Sequence, residues 1–160
     1  VVTLDLQSGE ETVLFDDFLT DDHAIKLVGS GYDDYVVTAN DQGLGRRLHY
    51  VHVSSNTNRP LTPALGAGSD ALFGVRDFVV GPDSLGVAIV GEFRERGTVD
   101  VVVSSTVETP AWQIVTPTSQ ANVAATINAL AFHPDGKRLL FAADYLEASR
   151  FDLYVVTLTP

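Results

Sequence analysis

Residues 127–158 read INALAFHPDGKRLLFAADYLEASRFDLYVVTL, and this stretch decides the fold because its parts recur earlier in the chain. It holds an apolar segment, a Pro-Asp-Gly turn, a second apolar segment, a polar loop and a third apolar segment. The turn HPDG at 133–136 has a counterpart in GPDS at 81–84 and a looser one in GSGYD at 29–33. A unit of strand, turn, strand, loop and strand therefore occurs about three times in the sequence.

The third apolar segment repeats together with the turn. FDLYVV at 151–156 matches VDVVV at 99–103 and, more loosely, LHYVHV at 48–53. VVTL at 1–4 repeats VVTL at 155–158, so a further partial unit opens the chain. A unit of about fifty residues cannot bury its apolar faces alone and does so by stacking on its neighbours.

This pattern predicts an all-β protein built of β-propeller blades, each a four-stranded antiparallel sheet. We expect about three blades, at about 20–63, 64–117 and 118–160, after a partial blade at 1–19, within a larger ring of about six to eight. Residues 1–15 supply the last two strands of the partial blade, and 75–80 and 127–132 are innermost strands. No segment has a convincing helical period, and residues 126–130 fit an inner strand better than a helix.

Composition excludes several classes of protein. The net charge is −11 with 10 lysines and arginines in all, which argues against nucleic-acid binding. No apolar run approaches the roughly 18 residues of a membrane span. The chain has no cysteine, so no thiol chemistry is available. It also lacks methionine and begins Val-Val in mid-strand, from which we expect a fragment or a processed product.

The last unit carries a family resemblance. FHPDGKRLLF at 132–141, followed by Asp144 and by DLYVV at 152–156, resembles the WD-like repeat of TolB-type propellers. The unit at 82 resembles it less closely, and the unit at 32 only weakly. The resemblance implies a noncatalytic module that binds a protein or peptide in the periplasm, the cell envelope or outside the cell. Similar blades form the gating domain of prolyl-oligopeptidase-type serine peptidases, and the alternative is such a domain with its catalytic domain outside this chain.

Catalysis by this chain itself has little support. A serine hydrolase needs the strained Gly-x-Ser-x-Gly turn with a histidine and an acid. Neither GSG at 29–31 nor GS at 68–69 fits that pattern. We therefore assign no catalytic and no cofactor-binding residue. A propeller lyase or another sugar-active enzyme stays open only if histidines from other blades complete a metal site.

Metal ligands are poorly placed in the sequence. His49 and His52 are three apart on a predicted strand, so they point to opposite faces. His133 sits in the turn, where a local hydrogen bond to the backbone is the simpler interpretation. The acidic pairs at 16–17, 21–22 and 33–34 could offer oxygen ligands to calcium, but their spacing does not match a calcium loop. We predict no metal site, and we expect Trp112 to pack on an edge strand.

Each loop between a second and a third strand places an acid where one strand ends and an arginine where the next begins. The simplest interpretation is an ion pair across the base of the loop, worth under about 1 kcal/mol when exposed. The predicted pairs are Asp41 with Arg46 and Arg47, Glu92 with Arg96, and Asp144 with Arg150.

In propeller topology these loops share one rim with the loops that enter the innermost strands. A ligand, if the protein binds one, should bind there. The polar residues expected nearest the channel mouth are Arg47, Arg76, Asp77, Arg94, Arg96, Asn128 and Arg150.

Alternation along the strands predicts which side chains lie between sheets. The expected core residues are Val79, Ala88, Val90, Val102, Leu130, Phe132, Leu140, Ala142, Leu153 and Val155. The last unit lacks a fourth strand, and residues 11–15 are expected to complete it. They would do so either within a ring that contains further blades or from a second copy, since two copies would make a six-bladed ring with about three blades each.

Overall fold

A computed structural model describes residues 2–4, 11–13, 25–27, 34–40, 46–52, 54–55, 57–62, 74–83, 86–94, 97–107, 112–117 and 125–158. These residues form strands and turns and no helix, which confirms the all-β prediction. The strands are β1 (Val2–Leu4), β2 (Glu11–Val13), β3 (Ile25–Leu27), β4 (Asp34–Asn40), β5 (Arg46–His52), β6 (Thr57–Pro60), β7 (Gly74–Val80), β8 (Gly86–Glu92), β9 (Asp100–Ser105), β10 (Trp112–Ile114), β11 (Ile127–Phe132), β12 (Arg138–Glu147) and β13 (Arg150–Thr157).

Apart from β1 and β2, the strands fall into three groups, and consecutive strands within each group pair antiparallel. We call β3–β6 unit 1, β7–β10 unit 2 and β11–β13 unit 3. Units 1 and 2 belong to one sheet of eight strands, because Arg46 of β5 lies opposite Gly74 of β7 in the one parallel pairing among the described strands. Unit 3 is a separate three-stranded sheet, and β1 pairs with β2 in a two-stranded one.

Units 2 and 3 share one hydrogen-bonding register. Phe78 of β7 lies opposite Ile89 of β8, and Leu130 of β11 lies opposite Phe141 of β12, a shift of 52 residues at both positions. The same shift relates the turns, where the N–H of Gly81 donates to Gly86 and that of His133 donates to Arg138, both at 2.8 Å. The sequence repeat is therefore a repeat of backbone structure.

The sheet of unit 2 is buried on both faces. On β8, Val87 and Ile89 belong to a core shared with unit 1, while Ala88 and Val90 belong to a core shared with unit 3. Such a strand reads as a continuous apolar run because neither face meets water. The buried members of the first core are Val36, Leu48, Leu61, Val75, Phe78, Val87, Ile89 and Val102, and those of the second are Ala88, Val90, Val99, Val101, Ala125, Leu139, Phe141, Ala143 and Tyr145.

The predicted core holds for unit 2 and is partly wrong for unit 3. Ala88, Val90 and Val102 are buried, and Val79, Leu130 and Phe132 pack at the margin of the second core. Leu140 and Ala142, in contrast, are only partly buried. Leu153 and Val155 are 68% and 57% exposed.

The predicted core of unit 3 is partly wrong because the opposite faces of β12 and β13 pack against unit 2. β12 turns Leu139 and Phe141 toward unit 2, and β13 turns Tyr154 and Val156 the same way. Both faces of these strands are apolar, so alternation alone does not tell which face a neighbour covers. Leu153 and Val155 therefore lie on the face that points away from unit 2.

The paired strands expected near the start of the chain are present. Val2 of β1 lies opposite Val13 of β2 in an antiparallel ladder. Within this chain β2 therefore pairs with β1 and not with β13. The expected closure of unit 3 by residues 11–15 is not seen in the single chain, and residues 14–15 lie outside the described residues.

Adjacent leucines on β12 test the assignment of faces. Leu139 is fully buried between the sheets, so Leu139→Ala should lower the free energy of unfolding by about 2–5 kcal/mol. Leu140→Ala removes the same atoms from the opposite face and should cost clearly less. Urea denaturation of both variants measures the difference. Equal losses, or the larger loss at Leu140, would contradict the register.

Candidate functional site

Three of the predicted rim residues meet in one cleft. A cavity of about 390 Å³ lies where β7 and β11 begin, and its polar lining includes Arg76, Asp77 and Asn128. Val90 and Leu130 contribute apolar wall. The inner strands of units 2 and 3 thus form a cleft with both charged and neutral polar groups.

A repeated β-bulge presents these side chains. The ladder of β7 shifts between Val75 and Asp77, and that of β11 shifts between Ile127 and Ala129. A bulge leaves one residue without a cross-strand partner and changes the direction of its side chain. That residue is Arg76 in unit 2 and, 52 positions later, Asn128 in unit 3, and both are exposed.

Arg76 is held in place by a buried acid. Its Nη2 donates to Oε1 of Glu92, whose side chain is 5% exposed. The other carboxylate oxygen of Glu92 accepts the backbone N–H of Gly97 at 2.9 Å. Asp77 is fixed in turn, because its Oδ1 accepts the N–H of Phe78 at 2.7 Å. The cleft therefore displays an oriented guanidinium, an oriented carboxylate and the side-chain amide of Asn128.

Asp144 occupies the position of Glu92 in unit 3. Its carboxylate accepts the backbone N–H of Thr126 at 2.5 Å and that of Ser149 at 2.9 Å. Ser149 has φ 65° and Gly97 of unit 2 has φ 81°, so both loops reverse through a left-handed residue that donates to the acid. The hydrogen bonds from Thr126 and Ser149 hold the pKa of Asp144 below its ordinary value.

The predicted loop pair of Asp144 with Arg150 is therefore wrong. Arg150 instead approaches Glu147 at 3.6 Å and Asp152 at 3.9 Å. Glu92 pairs with Arg76. The predicted partners Arg96 and Asp41 lie outside the described residues. These acids stabilise their loops by accepting backbone N–H groups, which residue spacing alone does not reveal.

Arg94 forms an ion pair within unit 2 and does not line the cleft. Its Nε lies 3.0 and 3.1 Å from the two carboxylate oxygens of Asp100, which is fully buried in β9. Thr116 Oγ1 also donates to Asp100 at 2.7 Å, and Arg94 reaches the carbonyl of Pro117 at 3.1 Å. Asp100 was missed as a site residue, although a single acid within the apolar run VDVVV is a signal that could have identified it.

Arg47 is also engaged away from the cleft. Its Nη2 donates to the carbonyl of Thr62 at 3.0 Å. Arg47, Arg94 and Arg150 thus lie outside the cleft lining, and Arg76, Asp77 and Asn128 form its polar part.

The histidines of β5 have separate partners. His49 Nδ1 lies 2.9 Å from Asn58 Oδ1, whereas His52 Nδ1 lies 2.7 Å from Asp34 Oδ1. Tyr50 donates its hydroxyl to Asp34 at 2.5 Å. Burial and that bond raise the pKa of Tyr50 to about 12, and the bond from Tyr50 lowers the pKa of Asp34. This cluster ties the edge of β4 to β5.

The other predicted local features lie where expected. The N–H of Asp135 donates to His133 Nδ1 at 3.2 Å, so His133 bonds to its own turn. Trp112 is in edge strand β10 and is 45% exposed. Among the described residues no group of three metal-ligating side chains occurs, and the acidic residues at 16–17, 21–22 and 33 lie outside them. No helix in the described part of the chain is long and apolar enough to cross a membrane.

Comparison with known proteins supports the fold only. No family model matches the chain, and no curated protein matches it. Among solved structures, the hydrazine synthase of Kuenenia stuttgartiensis superposes with a TM-score of 0.52 at 17% identity, over 88% of this chain and 42% of that one. The chain thus spans less than half the length of that protein, and the likeness is one of fold.

The buried ion pair of unit 2 gives a stability test. Arg94→Met keeps much of the apolar stem and leaves the Asp100 carboxylate buried without its cation, so the free energy of unfolding should fall by on the order of 3 kcal/mol. Arg150→Met, at an exposed ion pair, is the control and should cost under about 1 kcal/mol. Comparable small losses in both variants would show that Asp100 does not depend on Arg94.

Asp144 gives a pH test. Because its folded pKa lies below the unfolded value of about 3.9, the carboxylate stabilises the fold above that value. The contribution is lost as the pH falls through the lower folded pKa. Asp144→Asn should therefore be less stable than the parent at neutral pH, and the difference should shrink below about pH 4.

Urea unfolding at a series of pH values measures this difference. Glu147→Gln is the matched control, since Glu147 is 69% exposed and lies 3.6 Å from Arg150. A difference between Asp144→Asn and the parent that stays constant down to low pH would contradict the assigned role.

Proposed function

We propose that units 1 to 3 are consecutive blades of a β-propeller and that the chain is a noncatalytic module that binds a protein or peptide at the cleft between units 2 and 3. The support for the fold is the shift of 52 residues, which relates ladders, turns and bulges of two units. The stacking of unit 2 between two neighbours supports it further. The resemblance of residues 132–141 to the TolB-type repeat is consistent with both.

The observation that carries the functional proposal is the paired bulge. Two units place their unpaired bulge residues, Arg76 and Asn128, beside the same cavity. A bulge costs ladder hydrogen bonds. Its repetition at one cleft is best explained by the side chains that it directs into the cleft. Binding residues are also concentrated where a rigid scaffold places irregular backbone.

The chemistry of the cleft favours a peptide. Arg76 donates, Asp77 accepts, and the amide of Asn128 does both, which matches the alternating N–H and C=O groups of an extended backbone. Val90 and Leu130 provide an apolar wall for one side chain. A volume of about 390 Å³ is within the range of small-ligand sites, so it would hold a short segment rather than a folded surface.

A phage-displayed library of short linear peptides, selected on the immobilised chain, tests the proposal. Selected peptides should bind the parent and lose about tenfold or more in affinity for Asn128→Arg, which fills the cleft. Gln113→Arg is the matched control, because it makes the same change at an exposed amide on β10. Selection of no binder, or binders equally sensitive to both variants, would overturn the proposal.

A further inference from the structure

Two arginines of unit 2 differ in how much of their hydrogen-bonding capacity the fold uses. Arg94 directs both its Nε and its Nη2 to the carboxylate of Asp100, reaches two further oxygens, and is 25% exposed. Within the described part of the chain, Arg76 donates from Nη2 to Glu92 alone, and it is 51% exposed. A guanidinium carries five N–H donors, so four of those on Arg76 are left for another acceptor.

The exposure of Arg76 is a property of the cleft. Unit 2 is covered by unit 1 on one face and by unit 3 on the other, so Arg76 lies between packed neighbours. It lines the cavity together with the apolar side chains of Val90 and Leu130. A charged hydrogen bond is stronger beside such walls than in open water. An acceptor that enters the cleft therefore gains more from Arg76 than it would from an arginine on the open surface.

Glu92 prepares Arg76 for a second acceptor. The Glu92 side chain is 5% exposed and is itself fixed by the N–H of Gly97 at 2.9 Å. A guanidinium that is already held on one side loses less conformational freedom when it binds again. Its remaining N–H groups form a planar fork, which matches the two oxygens of a carboxylate better than a single carbonyl oxygen.

The charges around the cleft distinguish between anions. Arg76 brings one positive charge, whereas Glu92 and Asp77 bring two negative charges. A phosphorylated side chain carries about −1.5 to −2 near neutral pH, so these acids repel it more strongly than they repel a carboxylate with a single charge. The other wall contributes the neutral amide of Asn128, which donates N–H groups without adding charge. The balance favours a carboxylate over a phosphate.

We propose that the cleft selects peptides that present a carboxylate to Arg76, while the amide of Asn128 bonds to the adjacent peptide backbone. This inference rests on the proposed function, because it names the group by which the bound peptide is recognised. An Asp or Glu side chain and a free carboxyl terminus supply the same planar group, and the experiment separates these two sources.

Two phage libraries of short peptides, one with free amino ends and one with free carboxyl ends, are selected on the immobilised chain. Each selected peptide is then synthesised with one carboxyl group at a time converted to the amide. Conversion of one carboxyl should weaken binding to the parent by about tenfold or more. The position of that carboxyl, on a side chain or at the terminus, identifies its source.

Variants of the chain test whether Arg76 is the group that binds this carboxyl. Arg76→Gln combined with Glu92→Gln removes the guanidinium and the buried charge together, so no carboxylate is left buried without its cation. In this double variant, conversion of the same peptide carboxyl should cost under about threefold in affinity. Arg76→Lys keeps the charge but not the planar fork, so it should also lose most of the discrimination.

Arg138→Gln is the matched control, because Arg138 is 45% exposed and pairs with Asp135 in the turn away from the cleft. It should keep the full tenfold discrimination. Circular dichroism verifies that each variant is folded, and Arg76→Lys serves alone if the double variant does not fold.

The possible failures of the two proposals are distinguishable. Peptides that lose affinity for Asn128→Arg, yet bind equally well after every carboxyl has been converted, overturn this inference and leave peptide binding at the cleft intact. An equally large effect of conversion in the parent and in both Arg76 variants assigns the carboxyl to another group and also overturns it. Absence of binders in both libraries overturns the proposed function, and this inference with it.

Discussion

Burial of the unit 2 sheet on both faces is the constraint on which the rest of the structure depends. Ile89 and Val90 are neighbours on β8, yet one belongs to the core with unit 1 and the other to the core with unit 3. A sheet covered on one side only would expose the apolar side chains of its other face to water, at a cost of roughly 25 cal/mol for each Å² of apolar surface. The three units therefore stabilise one another, and the inner strands are held close enough to share the Arg76–Asn128 cleft.

The acids at the ends of the second strands connect this packing to the cleft. Asp144 bonds to Thr126, immediately before β11, and to Ser149 in the next loop. Glu92 bonds to Gly97 and holds Arg76 at the bulge. In each unit one carboxylate thus fixes the loop that follows it and also bonds to the inner strand in unit 2, or to the residue immediately before the inner strand in unit 3. The geometry of the cleft is consequently set by the same groups that stabilise the loops.

Local sequence predicted the strands well and the contacts less well. The Pro-Asp-Gly turn at 134–136 and the alternation around it are local, so β11, β12 and β13 could be placed from residues alone. Which face of β12 meets unit 2 depends on packing against residues that are distant in sequence, such as Ala88 and Val90, and both faces of β12 are apolar. The sequence also predicted Arg76 and Asn128 near one opening, but the bulge that exposes them leaves no signature in either strand.

Equivalent positions in units 2 and 3 distinguish the residues that hold the loops from the residues that face the cleft. Glu92 and Asp144 are both acids, and each accepts the N–H of a residue in the left-handed conformation. Both units therefore use a carboxylate at the position that fixes the loop. The bulge position changes from Arg76 to Asn128 while its backbone geometry stays the same. The same backbone geometry thus places an arginine paired with the buried Glu92 in unit 2 and an exposed amide in unit 3 beside the cleft. The bulge is therefore where differences between units would translate into specificity.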